Sequence, residues 1–119
     1  MSLPRLDESL SDDEVDRMMA NATRATEFLK ALAHEGRLMI LCHLASGERS
    51  VTELEQLLAQ RQAAVSQQLS RLRLEGLVKG RRQGKTIYYR LADERTRAML
   101  EVVYDLFCKD DSADLPKAD

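Results

Sequence analysis

The sequence has few aromatic residues and no tryptophan: phenylalanine, tyrosine and tryptophan together make up 4% of its 119 residues. Leucine, methionine, valine and alanine must therefore do most of the packing, which favours helices over a β-sandwich. No stretch approaches the roughly 18–20 apolar residues of a membrane span, and the N-terminal stretch MSLPRLDESLSDDEVD has no hydrophobic signal segment. These absences predict a cytoplasmic protein that makes no membrane contact, and the length suits one domain.

Patterns typical of enzymes are missing as well. The chain has no Ser/His/Asp set, no glycine-rich phosphate loop and no pattern of paired carboxylates that would form an acid–base pocket. We therefore predict that the protein is not an enzyme and that it uses no cofactor.

The chain has two cysteines, Cys42 in LMILCHLASG and Cys108 in YDLFCK. In a cytoplasmic protein, cysteines are more often reduced, catalytic, metal-binding or redox-sensing than joined in a static disulfide. Free cysteine is also among the most buried residue types, so packing alone would explain either residue by itself. Composition leaves these alternatives open.

Charge is distributed unevenly, although the formal net charge is only −2. Residues 1–16 carry six acidic side chains and one basic one, a net charge of −5, whereas residues 61–92 carry eight basic side chains and one acidic one, a net charge of +7. A short basic segment in an acidic protein indicates a localised face that binds a polyanion. A solvated charged surface is the simpler alternative, and the motifs within the segment decide between the two.

Two helices are predicted in the first part of the chain. The sequence SDDE at residues 11–14 is a capping box that opens a long helix over roughly residues 12–33, with one apolar stripe. Gly36 then interrupts the pattern, and a second helix spans about residues 35–45. Because this second helix is apolar on most sides, we expect it to be buried, with Gly47 supplying a left-handed C-cap.

A helix-turn-helix pattern follows these two helices. The sequence SVTE at residues 50–53 is another capping box and opens a short helix. After a break near residues 60–62, the stretch QAAVSQQLSRLRLEG keeps its apolar residues on one face and stops at Gly76. Two short helices joined by a tight turn are typical of DNA-binding helix-turn-helix motifs.

The segment LVKGRRQGKTIYYRLA changes to the alternating period of a strand. With Gln83 and Gly84 at its tip, it predicts a two-stranded hairpin. A last helix has Asp93 as its N-cap and runs to about Lys109.

These elements predict a mainly α fold, a winged helix-turn-helix of about five helices plus a two-stranded wing. The folded domain is predicted over residues 11–109, with a flexible acidic arm at residues 1–10 and a disordered acidic tail at residues 110–119. The first and last helices carry more apolar positions than so small a chain can cover, which predicts a dimer. A two-fold dimer would place two recognition helices about one DNA turn apart.

The polar face of QAAVSQQLSRLRLEG is suited to reading DNA. Glutamine pairs bidentately with adenine and arginine with guanine, while serine bonds to a base or a phosphate. The predicted contacts in this helix are Gln62, Ser66, Gln67, Gln68, Ser70 and Arg71. The hairpin would grip phosphates or an adjacent minor groove. Its predicted DNA-binding residues are Arg81, Arg82, Lys85 and Thr86.

On these residues the chain resembles a known family. The stretch QAAVSQQLSRLRLEGLVKGRRQGKTIYYRL closely resembles the recognition helix and wing of ArsR-type (ArsR/SmtB) winged-helix repressors, and ALAHEGRLMILCHLASGERSVTELEQLL resembles their second and third helices. The resemblance covers roughly residues 15–108. It implies a homodimer, formed through the first and last helices, that binds a palindromic operator in double-stranded DNA and releases it when an inducer arrives. Many members carry histidine where this chain has Gln68, so the operator sequence is not carried over.

The positions of the cysteines indicate which subgroup of this family the chain resembles. Metal-sensing members place cysteines in the third helix or Asp/His pairs in the last, but SVTELEQLLAQ contains no Cys or His and DERTRAMLEVVYDLFCK contains no His. Cys42 and Cys108 instead resemble the thiols of the sulfide-responsive SqrR/BigR-like persulfide sensors. That resemblance implies that reactive sulfur species join Cys42 and Cys108 through a polysulfide bridge, which lowers operator affinity.

Two other functions remain open at this point. Cys42, His43 and Cys108 would bind zinc or another thiophilic metal in a metal-responsive repressor. A protein adaptor that uses the winged helix without DNA is the third alternative, and the +7 segment argues against it. Helix geometry suits the sensor: if the stripes that carry Cys42 and Cys108 face each other, a bridge would tie the dimer-forming last helix to the second helix.

Overall fold

The computed structural model describes residues 9–59 and 62–108. The helices are α1 (Asp12–Leu32), α2 (Glu35–Ala45), α3 (Val51–Leu58), α4 (Gln62–Leu74) and α5 (Glu94–Phe107), and the strands are β1 (Arg49–Ser50), β2 (Val78–Gln83) and β3 (Thr86–Leu91). The predicted winged helix-turn-helix of five helices with a hairpin wing is confirmed. Most of the predicted arm, Lys109 and the predicted tail lie outside the described residues.

The capping box predicted at the start of α1 is confirmed. The Glu14 backbone N–H donates to Ser11 Oγ (3.2 Å), and the Ser11 backbone N–H donates to Glu14 Oε1 (3.0 Å). Only the last turn of α1 is buried in the chain, at Ala31 and Leu32. The apolar residues before this turn are half-buried or exposed, with Met19 64% exposed.

The break between α1 and α2 lies at residues 33–34, so the prediction that Gly36 interrupts the pattern is wrong. His34 is the N-cap of α2, and its Nδ1 accepts a hydrogen bond from the Gly36 backbone N–H (3.2 Å). A side-chain acceptor at residue 34 starts the helix, which places Gly36 inside the first turn. At the other end the C-cap is Ser46, and the positive φ (+147°) belongs to Gly47, one residue beyond it.

The helix-turn-helix is formed by α3 and α4. The second capping box is confirmed, because the Glu53 backbone N–H donates to Ser50 Oγ (3.1 Å) and the Ser50 N–H donates to Glu53 Oε1 (2.8 Å). The C-cap of α3 is Ala59, which adopts a left-handed conformation (φ +52°). The predicted apolar face of α4 is buried, with Val65 and Leu72 fully inaccessible.

The sheet has three antiparallel strands in the order β1-β3-β2, one more than the predicted hairpin. Strand β1 has two residues, too few to show an alternating pattern in the sequence. The hairpin turn also differs by one residue from the prediction. Gln83 still pairs with Thr86, so the two turn residues are Gly84, with a φ of +65°, and Lys85.

Helix α2 lies at the centre of the domain and contacts α1, α3, α4, α5 and β3. Its Ile40, Leu41 and Leu44 are buried, together with Leu54 of α3 and Leu100 of α5. The prediction of a buried α2 therefore holds for one face, whereas Met39 (44%) and Cys42 remain exposed. Among the described residues, no helix is long and apolar enough to cross a membrane.

Candidate functional site

Helix α4 presents one polar face to solvent. Gln67, Ser70 and Arg71 are exposed on it, while Val65 and Leu69 hold the opposite face against the core. This helix therefore has the two faces that a DNA-recognition helix requires, one for the domain and one for the major groove.

The other predicted contacts of α4 lie at its edges. Ser66 and Gln68 are half-buried. The Gln68 amide lies so close to α2 that a Cβ on Gly36 would collide with its Nε2, and its Oε1 is buried with no hydrogen-bond partner among the described residues. Helix α4 begins at Gln62, whose side chain lies outside the described part of the chain.

A cleft of about 290 Å³ separates α4 from the wing. We call it the wing-side cleft, and its polar lining includes Ser50, Thr52, Ser66, Lys85, Thr86 and Tyr89. The structure thus brings Ser66, Lys85 and Thr86, all predicted DNA contacts, into one site. Hydroxyl donors around a lysine are the groups that proteins use to hold backbone phosphates.

The two wing arginines predicted to bind DNA, Arg81 and Arg82, lie on opposite faces of the sheet. Directly paired residues of antiparallel strands share a face, and successive residues alternate. Arg82 pairs with Ile87, and Ile87 lines the wing-side cleft, so Arg82 lies on the cleft face. Arg81 pairs with Tyr88 and lies on the other face.

Arg81 is held by a carboxylate that the sequence analysis missed. Its Nη2 lies 2.8 Å from Oε1 of Glu48, its Nη1 donates to Gln83 Oε1 (2.8 Å), and its guanidinium lies 5.1 Å from the Tyr88 ring centre. Arg90 Nη1 lies 3.5 Å from the other oxygen of Glu48. The hydrogen bond from Arg81 lowers the pKa of the Glu48 carboxyl, so the carboxylate remains charged at neutral pH.

We expect Lys85→Ala and Glu48→Gln to change DNA affinity in opposite directions. Removing Lys85 deletes a predicted phosphate contact, so the slope of log K against log salt should fall by about one per protomer on any duplex. Replacing Glu48 by glutamine removes a negative charge and releases Arg81, so affinity for any duplex should rise. Fluorescence anisotropy over a salt series measures both, and unchanged binding by both variants would contradict the assignment of the wing.

The two cysteines are free thiols, and both are exposed. Cys42 lies on α2, and Cys108 is the C-cap of α5, with its backbone N–H bonded to the Tyr104 carbonyl oxygen (2.8 Å). Although Cys42 is exposed, partial desolvation by its neighbours raises the pKa of its thiol above the ordinary value, and charge on an ionised Cys108 raises that pKa further. Helices α2 and α5, which carry the two thiols, contact each other.

A groove of about 590 Å³ runs between α2 and α5 beside Cys42. We call it the thiol groove, and its lining includes Cys42, Ala45, Arg97, Leu100, Tyr104 and Asp105. Arg97 Nη1 donates to the Ala45 carbonyl oxygen (2.7 Å), which ties α5 to the last turn of α2. The groove thus places Cys42 beside the stripe of α5 that contains Leu100 and Tyr104.

The raised pKa of Cys42 predicts a pH-dependent reactivity. The thiolate is the nucleophile, so at neutral pH Cys42 should be alkylated more slowly than free cysteine, with a rate that climbs as pH rises toward its pKa. At alkaline pH, where thiols ionise, Cys108→Ser removes a negative neighbour, which should lower the Cys42 pKa and speed its alkylation at that pH. Iodoacetamide labelling, resolved by peptide mass spectrometry, measures both rates. An unchanged Cys42 rate in Cys108→Ser would contradict the electrostatic coupling.

His43 does not complete a metal site with the two thiols. Within residues 9–59 and 62–108, no group of three or more His, Cys, Asp or Glu side chains lies close enough to hold a metal ion. The predicted alternative of a Cys42/His43/Cys108 metal site therefore has no structural support among these residues.

Comparison with known proteins agrees with this geometry. Residues 34–79 match the family model described as bacterial regulatory protein, arsR family. A biofilm growth-associated repressor of Agrobacterium fabrum is 48% identical over 91 residues, 76% of this chain and 78% of that protein. The structure of reduced HlyU from Vibrio cholerae aligns with a TM-score of 0.74 at 42% identity, covering 77% of this chain and 97% of that one.

A third similar structure is the homodimeric winged helix-turn-helix DNA-binding domain Mb0332 of Mycobacterium bovis, with a TM-score of 0.69 and 30% identity over 95% of this chain and 99% of that one. The fold, the exposed face of α4 and the cationic wing define a DNA-binding transcriptional regulator of the winged-helix repressor class. The chain belongs to the ArsR family of bacterial regulatory proteins.

Proposed function

We propose that the protein is a cytoplasmic, homodimeric repressor that releases its operator when reactive sulfur species join Cys42 to Cys108. The observation that carries the proposal is the pair of exposed free thiols on the two helices that form the thiol groove. Cys42 lines this groove, and Cys108 caps α5 one turn after Tyr104, which also lines it. Two relatives add support: one is named a biofilm growth-associated repressor, and another was solved in a form described as reduced.

The chemistry balances with a persulfide donor RSSH as the only co-reactant. Two donors each transfer a sulfur atom to one thiol and leave as RSH. A third donor accepts the two electrons and two protons released when the Cys42 and Cys108 persulfides couple, and leaves as RSH and H₂S. The product is a tetrasulfide bridge, and the protein gains two sulfur atoms and loses two hydrogens.

The contacts of α2 offer a route from this bridge to DNA. Arg97 ties α5 to the end of α2, and α2 contacts α4 directly. Glu48, three residues after α2 ends, bonds to Arg81 of the wing. A bridge that shifts α2 relative to α5 would therefore change the positions of α4 and the wing. Contacts to DNA would then differ between the reduced and bridged forms, as allosteric release requires.

The apolar residues that α1 and α5 expose support dimerisation through these two helices. Met19 and Leu29 of α1 are 64% and 50% exposed, and Leu106 and Phe107 of α5 are 71% and 72% exposed. Large apolar side chains exposed together on two helices mark an interaction surface. A two-fold interface built from them would bury these residues and set the spacing of the two α4 helices on a palindromic operator.

The test combines intact mass with DNA binding on the same samples. The reduced, metal-free protein is treated with a persulfide donor or with hydrogen peroxide, and binding is measured on a duplex selected from a random pool by the reduced protein. We expect the persulfide donor to add two sulfur atoms, remove two hydrogens and release the duplex. No sulfur addition, or addition without release of the duplex, would contradict the proposal. The assignment of the chain as a DNA-binding regulator would still hold.

A further inference from the structure

A second polar depression flanks α4 on the side away from the wing. This α2-side pocket, of about 160 Å³, is lined by His34, Arg37, Gln67, Gln68 and Arg71. His34 and Arg37 come from the start of α2, and the sequence analysis did not include either among the DNA contacts. Ser66, which lines the wing-side cleft, belongs to the opposite edge of α4.

The α2-side pocket is cationic. Two guanidinium groups line it, and no carboxylate from residues 9–59 or 62–108 does. Arg37 Nη2 donates to the Lys30 carbonyl oxygen (3.0 Å), but its Nε is buried with no partner among the described residues. Arg71 is 60% exposed and is bound through its Nε to Glu75 (3.2 Å). Two neighbouring guanidinium groups with spare donors favour an anion between them.

The start of α2 strengthens this preference. His34 Nδ1 accepts a hydrogen bond from Gly36, so the neutral ring carries its proton on Nε2, which is a further donor. The positive end of the α2 dipole lies at the same place. Gly36 has no side chain, and this allows Gln68 of α4 to lie against α2 and close the pocket from one side.

We propose that the α2-side pocket binds a backbone phosphate of DNA, with Arg37 as its principal donor. A helix in the major groove has a phosphodiester backbone along each of its sides. The wing-side cleft would hold one strand and the α2-side pocket the other, so that α4 lies between two phosphate sites. The proposal rests on DNA binding by α4 and is independent of the thiol chemistry.

The test measures affinity over a salt series for Arg37→Gln, with Arg73→Gln as the matched control. Arg73 is exposed on α4, the helix proposed to lie between the two phosphate sites, and it lines neither depression. Under reducing conditions, we expect Arg37→Gln to bind both a selected duplex and a random-sequence duplex about tenfold more weakly. The salt slope should fall by about one per protomer.

Replacing single charged phosphates of the duplex with a neutral analogue shows which phosphate Arg37 contacts. A methylphosphonate placed at the phosphate beside α2 should weaken the wild type and Arg73→Gln, but cause no further loss in Arg37→Gln. The proposal is overturned if folded Arg37→Gln keeps the affinity and slope of Arg73→Gln, or if its loss is confined to the selected duplex. Arg37 also bonds to α1, so circular dichroism first checks that Arg37→Gln is folded. If that variant is unfolded, His34→Asn, which keeps an N-cap side chain, and Arg71→Gln carry the test. Wild-type affinity in both variants, together with a wild-type salt slope in Arg71→Gln, would overturn the proposal.

Discussion

Cys42→Ser and Cys108→Ser, each alone, are expected to bind the selected duplex as tightly as the reduced wild type and to ignore the persulfide donor. Serine keeps nearly the same size, and both side chains are exposed, so the substitution leaves the core unchanged. Without the second thiol, a persulfide on the first has no partner to couple with. The wild type should lose affinity by a factor typical of allosteric coupling, about 5–150-fold, and each variant should lose almost none.

The measurement is a binding titration before and after donor treatment, with intact mass on the same samples. His43→Gln is the matched control, since it changes the residue next to Cys42 without removing a thiol, and it should respond like the wild type. Two results would contradict the prediction: release of DNA by a single-serine variant after treatment, or loss of DNA affinity in an untreated serine variant. The second result would assign the cysteines a structural role.

The helix-turn-helix and the wing could be predicted because their signals are local. The capping boxes at Ser11 and Ser50 need only four residues of sequence, and the apolar face of α4 repeats with helical spacing. Strand β1 could not be predicted, since its two residues pair with β3 about forty residues later. Only the tertiary fold turns Arg49 and Ser50 into a strand.

The DNA-binding face also combines features that the local sequence predicts with features that only the tertiary fold produces. The composition of the wing was enough to predict that it is cationic. Arg81 and Glu48, however, are 33 residues apart, so their ion pair depends on the fold. The fold also places Arg82 and not Arg81 on the face of the wing-side cleft. Gln68 was predicted from its place on a polar helix face, yet its amide lies against Gly36 of α2. His34 and Arg37 gave no DNA signal in sequence because α2 as a whole is apolar.

The largest structural effect is expected from charge on the exposed apolar residues of α1 and α5. Met19 and Leu106 are 64% and 71% exposed in the single chain, so a glutamate at either position costs the isolated fold little. In a two-fold interface the same substitution occurs twice, and each copy leaves an unpaired charge between apolar surfaces. A cost of about 2 kcal/mol per copy would raise the dimer dissociation constant by about a thousandfold.

Sedimentation velocity on Met19→Glu, Leu106→Glu and the control Leu57→Glu measures this effect. Leu57 is 47% exposed on α3, so its variant carries the same change of charge away from α1 and α5. We expect monomers from the first two variants and dimers from the control. Because a monomer contacts only one half-site, operator binding by the first two should also become weaker and depend more steeply on protein concentration. Dimers in all three variants would mean that the interface lies on another surface. A bridge at Cys108 would then have to change the spacing of the two α4 helices by a route other than an interface formed by α1 and α5.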